Sequence, residues 1–190
     1  MNGFDLGYAA LGVATWPWWR RRARGGWAER FGRVLPELPS KQQGKPRVLL
    51  HAVSVGETAS LRTLVPMLVD RGAEVIVTAT TDTGLARAHE LYDGVAHVCR
   101  FPLDGSWIVR KFLDAVQPDV VGLVELEVWP NFVAACAQRR IPVGVISGRL
   151  SERSFRGYRR AKPIVGRAFR QLAFASAQDE AYCERFRAMG

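Results

Sequence analysis

The side chains best suited to chemistry in this sequence stand where apolar runs end. The clearest case is Arg47-Val48-Leu49-Leu50-His51-Ala52-Val53-Ser54-Val55-Gly56-Glu57-Thr58. An unbroken apolar run passes through Ser54 and Gly56 into helix-forming sequence, the pattern of a buried strand, a tight turn and a helix start. Glu57 therefore falls at the carboxyl end of a strand, the edge at which open α/β sheets bind ligands. A carboxylate there can accept a proton from a bound hydroxyl. Ser54 and Glu57 also have the S-x-x-E spacing of a capping box, in which both side chains satisfy backbone N–H groups of the first turn. Spacing leaves both readings open.

Three further clusters share that position. Thr80-Thr81-Asp82-Thr83-Gly84 offers hydroxyls and N–H groups at a helix start, a setting suited to an oxyanion or phosphate. It lacks the G-K-[ST] of a Walker loop, and the chain has no G-x-G-x-x-G dinucleotide fingerprint. Glu125 and Glu127 close the apolar run from Asp119, and alternation along an extended chain predicts both carboxylates on one side of it. They could orient a base, bind sugar hydroxyls or pair with arginines such as Arg149. Arg149-Leu150-Ser151-Glu152-Arg153-Ser154 could hold a phosphate or carboxylate, or form a Ser-capped helix start with ordinary ion pairs. No Ser-His-Asp set is legible: His51 lies inside a strand pattern, and His89 and His97 have no partner apparent in sequence.

The elements that must position these residues alternate regularly. Strands are predicted at 47–53, 74–79, 97–101, 119–125, 141–146 and 172–176. Helices are predicted at 57–71, from the Thr-rich turn to about 92, at 106–116, from Trp129-Pro130 onward, across a basic region at 151–170 broken near Pro163, and at 179–189. Strands separated by helices imply right-handed crossovers and a parallel sheet covered on both faces, a Rossmann-like α/β layer. The globular domain proper is expected to start near Arg47 and to run to Gly190 as one domain.

Ahead of it, residues 6–19 carry no charge, end in Trp16-Pro17-Trp18-Trp19, and are followed by Arg20, Arg21, Arg22 and Arg24. The apolar run is short for a spanning helix, which takes about 20 residues. Its order nevertheless suits aromatics at headgroup level and basic residues on the cytoplasmic side. A secretory signal would carry its charge before the apolar stretch. Residues 27–33 read as a short amphipathic helix closed by Gly32, and a proline-rich connection leads to Arg47. The net charge of +9 is concentrated in this head and between Arg149 and Arg170. Such clusters suit anionic lipid, a phosphorylated ligand or nucleic acid. Nucleic-acid binding would bring aromatics interleaved with the basic residues, whereas the tryptophans here gather mainly near the apolar head. Three cysteines without C-x-x-C spacing suggest neither a zinc site nor a disulfide framework, and hence a reducing compartment.

Taken in order, His51 to Glu57, Thr80 to Gly84, Phe101-Pro102-Leu103-Asp104, Glu125-Leu126-Glu127-Val128-Trp129-Pro130-Asn131 and Arg149 to Ser154 resemble the amino-terminal half of the 3-deoxy-D-manno-octulosonic acid (Kdo) transferases of lipopolysaccharide assembly. The resemblance runs from about Trp27 to Gly190, and the apolar-then-basic head resembles the family's membrane-associating segment. It implies a GT-B glycosyltransferase with two Rossmann-like domains. Residues 1–46 would be the membrane-associating segment and connection, and residues 47–190 the acceptor-binding domain. The carboxyl-terminal donor domain would be absent from this chain. The implied reaction is inverting transfer of Kdo from CMP-Kdo to a lipid A precursor, with no metal and no cofactor, at the cytoplasmic face of the bacterial inner membrane. The implied partners are the lipid A precursor, CMP-Kdo and an anionic membrane surface, with no nucleic acid. The resemblance places the catalytic base on Glu57. It places acceptor-binding or orienting roles on Ser54, Gly56, Thr80, Thr81, Glu125, Arg149 and Ser151. The sequence departs from the family pattern at Asp82, where Pro is expected, and at Ser147-Gly148, where Asn-Ala is usual.

Overall fold

A computed structural model describes residues 3–5, 7 and 25–190. A short helix α1 (Trp27–Arg30) precedes a series of strands and helices: β1 (Arg47–Ala52), α2 (Val55–Ser60), α3 (Leu64–Asp70), β2 (Glu74–Ala79), α4 (Asp82–Tyr92), β3 (His97–Arg100) and α5 (Ser106–Val116). There follow β4 (Val120–Val124), α6 (Pro130–Gln138), β5 (Val143–Gly148), α7 (Glu152–Arg160), α8 (Lys162–Arg170), β6 (Phe174–Ala177) and α9 (Glu180–Met189). The six strands form one parallel sheet in the order β3-β2-β1-β4-β5-β6.

That order is what the apolar runs require. All six residues of β1 are buried, because the strand lies between β2 and β4 and has helices over both faces. Its side chains alternate between two cores. Val48, Leu50 and Ala52 pack with Leu61, Val65, Ala88 and Tyr92 on one face, and Leu49 packs with Val109, Phe112, Phe132 and Val133 on the other. After β3 the chain crosses back to lay β4 against the free side of β1, so the strand order reverses between β1 and β4. A crevice opens outside the carboxyl ends of the strands at such a reversal. The turns that follow β1 and β4 both face it.

Three elements differ from the sequence expectation. The helix expected at 57–71 is two helices, α2 and α3, separated by Leu61–Thr63. Pro66 accounts for the break: it lacks an N–H, and its ring would clash with the Arg62 carbonyl in a continuous helix. It is tolerated in the first turn of α3, where N–H groups have no helical partner anyway. Strand five starts at Val143 instead of residue 141 and continues through a bulge to Gly148. Pro142 cannot donate to the ladder, and its carbonyl accepts from Val121 N at 2.9 Å just ahead of the strand. The last strand is likewise displaced, to Phe174–Ala177. The break near Pro163 falls at Ala161, with Pro163 inside the first turn of α8.

Candidate active site

Ser54 is the N-cap of α2, with its hydroxyl accepting from Glu57 N at 3.4 Å. The Glu57 carboxylate reaches back over the turn, one oxygen accepting from Val53 N at 2.9 Å and the other from the Ser54 hydroxyl at 2.8 Å. Only half of the capping box is formed as the spacing predicts, since the carboxylate takes the N–H of the residue before the cap in place of Ser54's own, and these bonds do not exhaust it. Each oxygen has two lone pairs, of which the cap takes one. Glu57 is only partly buried, so the remaining lone pairs are open to a ligand. Gly56 beside it is exposed, and a Cβ added there would meet nothing within 4 Å.

The β1–α2 turn is tied to the β2–α4 turn. Thr81 donates its hydroxyl to Val53 O at 2.7 Å and its N–H to the same carbonyl at 3.1 Å, while its oxygen caps α4 by accepting from Gly84 N at 3.0 Å. Gly84 is required by this approach, since a Cβ would lie 2.8 Å from Val53 O. The Thr80 hydroxyl faces His51 Nε2 at 3.4 Å, and its carbonyl accepts from the buried Arg30 guanidinium. The hydroxyls of the Thr-rich turn thus serve the fold. Asp82, at the position departing from the family pattern, accepts from Gly25 N at 3.1 Å and from Arg100 Nη1 at 2.5 Å. The Gly25 N–H and the neighbouring Arg100 and Arg30 hold its carboxyl below the usual range.

Beneath these turns His51 is fully buried, stacked on Phe101 with ring centroids 3.7 Å apart. Thr78 donates its hydroxyl to Leu50 O, so its oxygen accepts from His51 Nδ1 at 3.1 Å, leaving Nε2 to accept from Thr80. Burial lowers the His51 pKa to about 3, and the ring is neutral at physiological pH. It is a core histidine that supports the site from below.

At the neighbouring strand end the carboxylates are held differently. Glu125 does not continue β4: its φ is +58°, and its N–H closes the ladder onto Ile146 O at 3.0 Å. The alternation expected for Glu125 and Glu127 therefore fails, because the backbone turns at the first of them. Glu127 nonetheless ends up near enough to Glu57 to feel its charge, brought there by the turn at 125–129. The Glu127 pKa is raised to about 7, chiefly by burial and then by the negative charge of Glu57, with a smaller push from Glu125. Trp129 opposes the shift, although its buried Nε1 makes no full hydrogen bond. Tyr158 on α7 lies close enough for Glu127 to help burial raise its own pKa. Glu127 is among the candidates of the sequence, though without a role from the family resemblance, whereas Trp129 and Tyr158 are neighbours of it to which sequence reasoning gives no role. The available signal was the apolar flank of Glu127 in Val124-Glu125-Leu126-Glu127-Val128-Trp129.

A buried network fixes the start of α6, directly behind this turn. The Asp104 carboxylate accepts from Asn131 N at 3.0 Å and Phe132 N at 2.8 Å, and Asn131 Nδ2 donates to Asp104 O at 2.6 Å and to Asp5 Oδ1 at 3.3 Å. Asp5 also accepts from Ser106 N at 2.8 Å and the Ser106 hydroxyl at 2.7 Å, fastening the first residues of the chain to the domain.

Ser151 caps α7 by accepting from Ser154 N at 3.3 Å, the Ser-capped start that the sequence allowed. Arg149 is exposed and, among the described residues, forms no ion pair with Glu125 or Glu127. The pairing of these glutamates with Arg149 is thus not realised. Apart from Gly7, the apolar run at 6–19 and all of the arginines at 20–24 lie outside the described residues. Among the described residues no helix is long and apolar enough to cross a membrane, and no group of His, Cys, Asp or Glu is arranged to hold a metal ion.

A parallel six-stranded sheet with its strand order reversing at a carboxylate-lined edge defines a Rossmann-like α/β domain. The fold is shared by the structure named for a UDP-N-acetylglucosamine 2-epimerase of Listeria monocytogenes, with a TM-score of 0.54 and 14% identity over 77% of this chain and 43% of that one. Residues 25–190 match the amino-terminal family model of 3-deoxy-D-manno-octulosonic-acid transferase (kdotransferase), and the chain belongs to that family. It is 36% identical over 167 residues to the 3-deoxy-D-manno-octulosonic acid transferase of Bordetella pertussis, covering 80% of this chain. It is 31% identical over 166 residues to that of Haemophilus influenzae, covering 86%. The match spans 38% of the length of each of these curated relatives.

Proposed function

We propose that this chain is the acceptor-binding part of an inverting transferase that moves Kdo from CMP-Kdo to a lipid A precursor, with Glu57 as the general base. The observation that carries the reading is the posture of Glu57. Its carboxylate is held at the strand-order reversal by Val53 N and Ser54 Oγ, within the stretch that resembles a motif of the family, and it is partly exposed with lone pairs these bonds leave unused. An acceptor hydroxyl is a poor nucleophile until its proton leaves, and it becomes acidic as its oxygen bonds to the anomeric carbon of Kdo. A fixed carboxylate within hydrogen-bond reach takes the proton at that stage, and the CMP phosphate departs with the electrons of the broken bond. The helix start favours the ionised form of Glu57.

Glu125 orients the acceptor, while Ser54 and Gly56 shape the approach to Glu57. Thr80 and Thr81 hold the adjoining turn, and Arg149 and Ser151 bind an acceptor phosphate. CMP-Kdo is bound by the part of the enzyme lying outside the 38% of the relatives that this chain matches. The reaction uses no cofactor and takes place at the cytoplasmic face of the bacterial inner membrane. The arginine-rich segments face anionic lipid and do not serve nucleic acid.

The test is Glu57→Gln in the complete enzyme. Transfer is expected to fall about 10²-fold or more, with acceptor binding kept. A residue that only caps α2 would instead cost about 1 kcal/mol of stability and leave turnover nearly normal. Turnover in the Gln variant near that of the parent would remove the catalytic assignment.

A further inference from the structure

A guanidinium taken out of water is costly unless its donors are answered by the protein. Among the described residues two arginines are buried, Arg47 and Arg30. Arg47 stands at the amino ends of the strands and is bonded to Glu74 and Val116 O. Arg30 is 4% exposed and reaches the opposite edge, although it belongs to α1, ahead of the domain that the sequence delimits. Its Nη2 donates to Thr80 O and stands 3.7 Å from Asp82 Oδ1, and its Nε donates to Gly25 O at 3.4 Å. Thr80 follows the last residue of β2, where the ladder no longer supplies a donor for its carbonyl, and Arg30 supplies one. The segment ahead of α1 is fitted to the same turn. Asp82 accepts from Gly25 N at 3.1 Å, and a Cβ at Gly26, whose φ is +71°, would lie 1.9 Å from Arg100 Nε.

We propose that Arg30 is a positioning residue for the Glu57 carboxylate, acting through the Thr80–Thr81 turn and Val53. Each link is a hydrogen bond. Arg30 holds Thr80 O, the next residue Thr81 gives its N–H and its hydroxyl to Val53 O at 3.1 and 2.7 Å, and Val53 gives its own N–H to Glu57 at 2.9 Å. Val53 is thus bonded on both sides, its carbonyl by the Thr-rich turn and its N–H by the carboxylate. If Thr80 shifts, the direction of the Val53 N–H shifts with it. Attachment of α1 to the domain does not require this guanidinium: the Arg30 carbonyl accepts from Leu103 N at 2.9 Å, and Gly32, at φ +63°, sits so closely on α5 that a Cβ would lie 3.2 Å from Ile108 Cγ2. What the buried guanidinium adds is a fixed Thr80 carbonyl. A base must be held to within about half an ångström of its productive place, and that precision comes from the groups behind it. The effect of Arg30 on turnover rests on the role of Glu57 proposed above, whereas its hold on the carboxylate rests on these bonds alone.

The test follows the Val53 amide proton of the full chain by NMR through an acid titration. In the parent this proton should shift as the Glu57 carboxylate is protonated, and Glu57→Gln should remove the shift and so assign it. Arg30→Met is expected to reduce its amplitude about twofold or more, because a hydrogen bond weakens steeply as it leaves line. Arg30→Lys restores a donor for Thr80 without the fork that also holds Gly25, and should recover part of the amplitude. Arg139→Met breaks an ion pair with Asp114 at the other end of the sheet and should leave it unchanged. In the complete enzyme Arg30→Met should lower kcat about tenfold per folded molecule, with the acceptor KM nearly that of the parent. A residue that only anchors α1 would lower stability and leave both the titration and the kcat of the folded protein unaltered. That result, or a parent Val53 proton indifferent to Glu57, would overturn the proposal. If Arg30→Met does not fold, a parent-like amplitude in Arg30→Lys overturns it equally. Active Glu57→Gln enzyme would remove the base and leave the Val53 result standing, and an unmoved Val53 titration would remove this role of Arg30 and leave the Glu57 assignment to its own test.

Discussion

The two ends of the central strands handle charge in opposite ways. At the amino end Arg47 is 1% exposed, yet its guanidinium makes four hydrogen bonds: Nε and Nη2 donate to Glu74 at 2.8 and 2.9 Å, Nη1 to Val116 O at 2.7 Å, and Nη2 also to Pro39 O at 2.8 Å. Opposite charge and carbonyl dipoles replace the water that burial removed. At the carboxyl end Glu127 feels the negative charges of Glu57 and Glu125, none of the three forms an ion pair among the described residues, and Glu127 holds its proton up to about pH 7. A compensated charge locks β1 to β2 and α5. A set of like charges costs stability, and it persists where a ligand or a proton is to be received. The difference separates a residue that holds the sheet together from residues available for chemistry.

The largest effect should come from breaking the amino end. Arg47→Met leaves the Glu74 carboxylate and two carbonyls without their donor, and is expected to cost about 3–5 kcal/mol in urea unfolding. The Glu127 midpoint should not move, since the two ends share no partner. A loss below about 1 kcal/mol would show that the amino end is not the structural pole assumed here.

The carboxyl end should reveal itself through pH. Glu127 titrates near 7 in the folded chain and ordinarily near 4.5, so between these values the folded state keeps a proton that the unfolded state has released. Its contribution is therefore present below about pH 4.5 and lost as pH rises to about 7, a change on the order of 2–3 kcal/mol. His51 has the opposite slope. Its pKa falls from 6.5 to about 3, so only the unfolded state takes up its proton between those values, and stability is lost as pH falls through them. Over the shared window from about 4.5 to 6.5 the two slopes oppose each other. Stability in the parent should be nearly flat there, and in Glu127→Gln it should climb with pH. Glu57→Gln should bring the Glu127 midpoint down, as read by carboxyl carbon NMR. A midpoint that stays near 7 would remove Glu57 as a cause and leave the shift to burial and Glu125.

The smallest expected effect sharpens what the carboxyl end is open for. Gly56 sits in α2 with empty space where a Cβ would be, so Gly56→Ala should stabilise the fold by about 0.5–1 kcal/mol. If that space admits the acceptor, the same methyl should lower transfer by the complete enzyme. A more stable variant with unchanged transfer would place the acceptor elsewhere.

Much of this arrangement is written locally in the chain. The apolar runs and their Ser54, Thr81 and Ser151 caps announce strand-to-helix turns, because burial on both faces of a strand and capping of a helix start are decided within a few neighbouring residues. The same locality explains why Ser54 and Glu57 could be read as a cap and as a site: Ser54 does cap the helix, and the Val53 N–H and Ser54 hydroxyl that Glu57 accepts from also aim its carboxylate. Other features depend on partners that no spacing reveals. Reversal of the strand order places β4 beside β1, and the left-handed turn at Glu125 brings Glu127 toward Glu57 from seventy positions away in the sequence. Arg47 finds Glu74 and Val116, and Asp5 finds Ser106 and Asn131, across 27, 69, 101 and 126 positions of the chain. Periodicity records how deeply a segment is buried and which face turns inward. Which charges it meets there is set only when the segments pack.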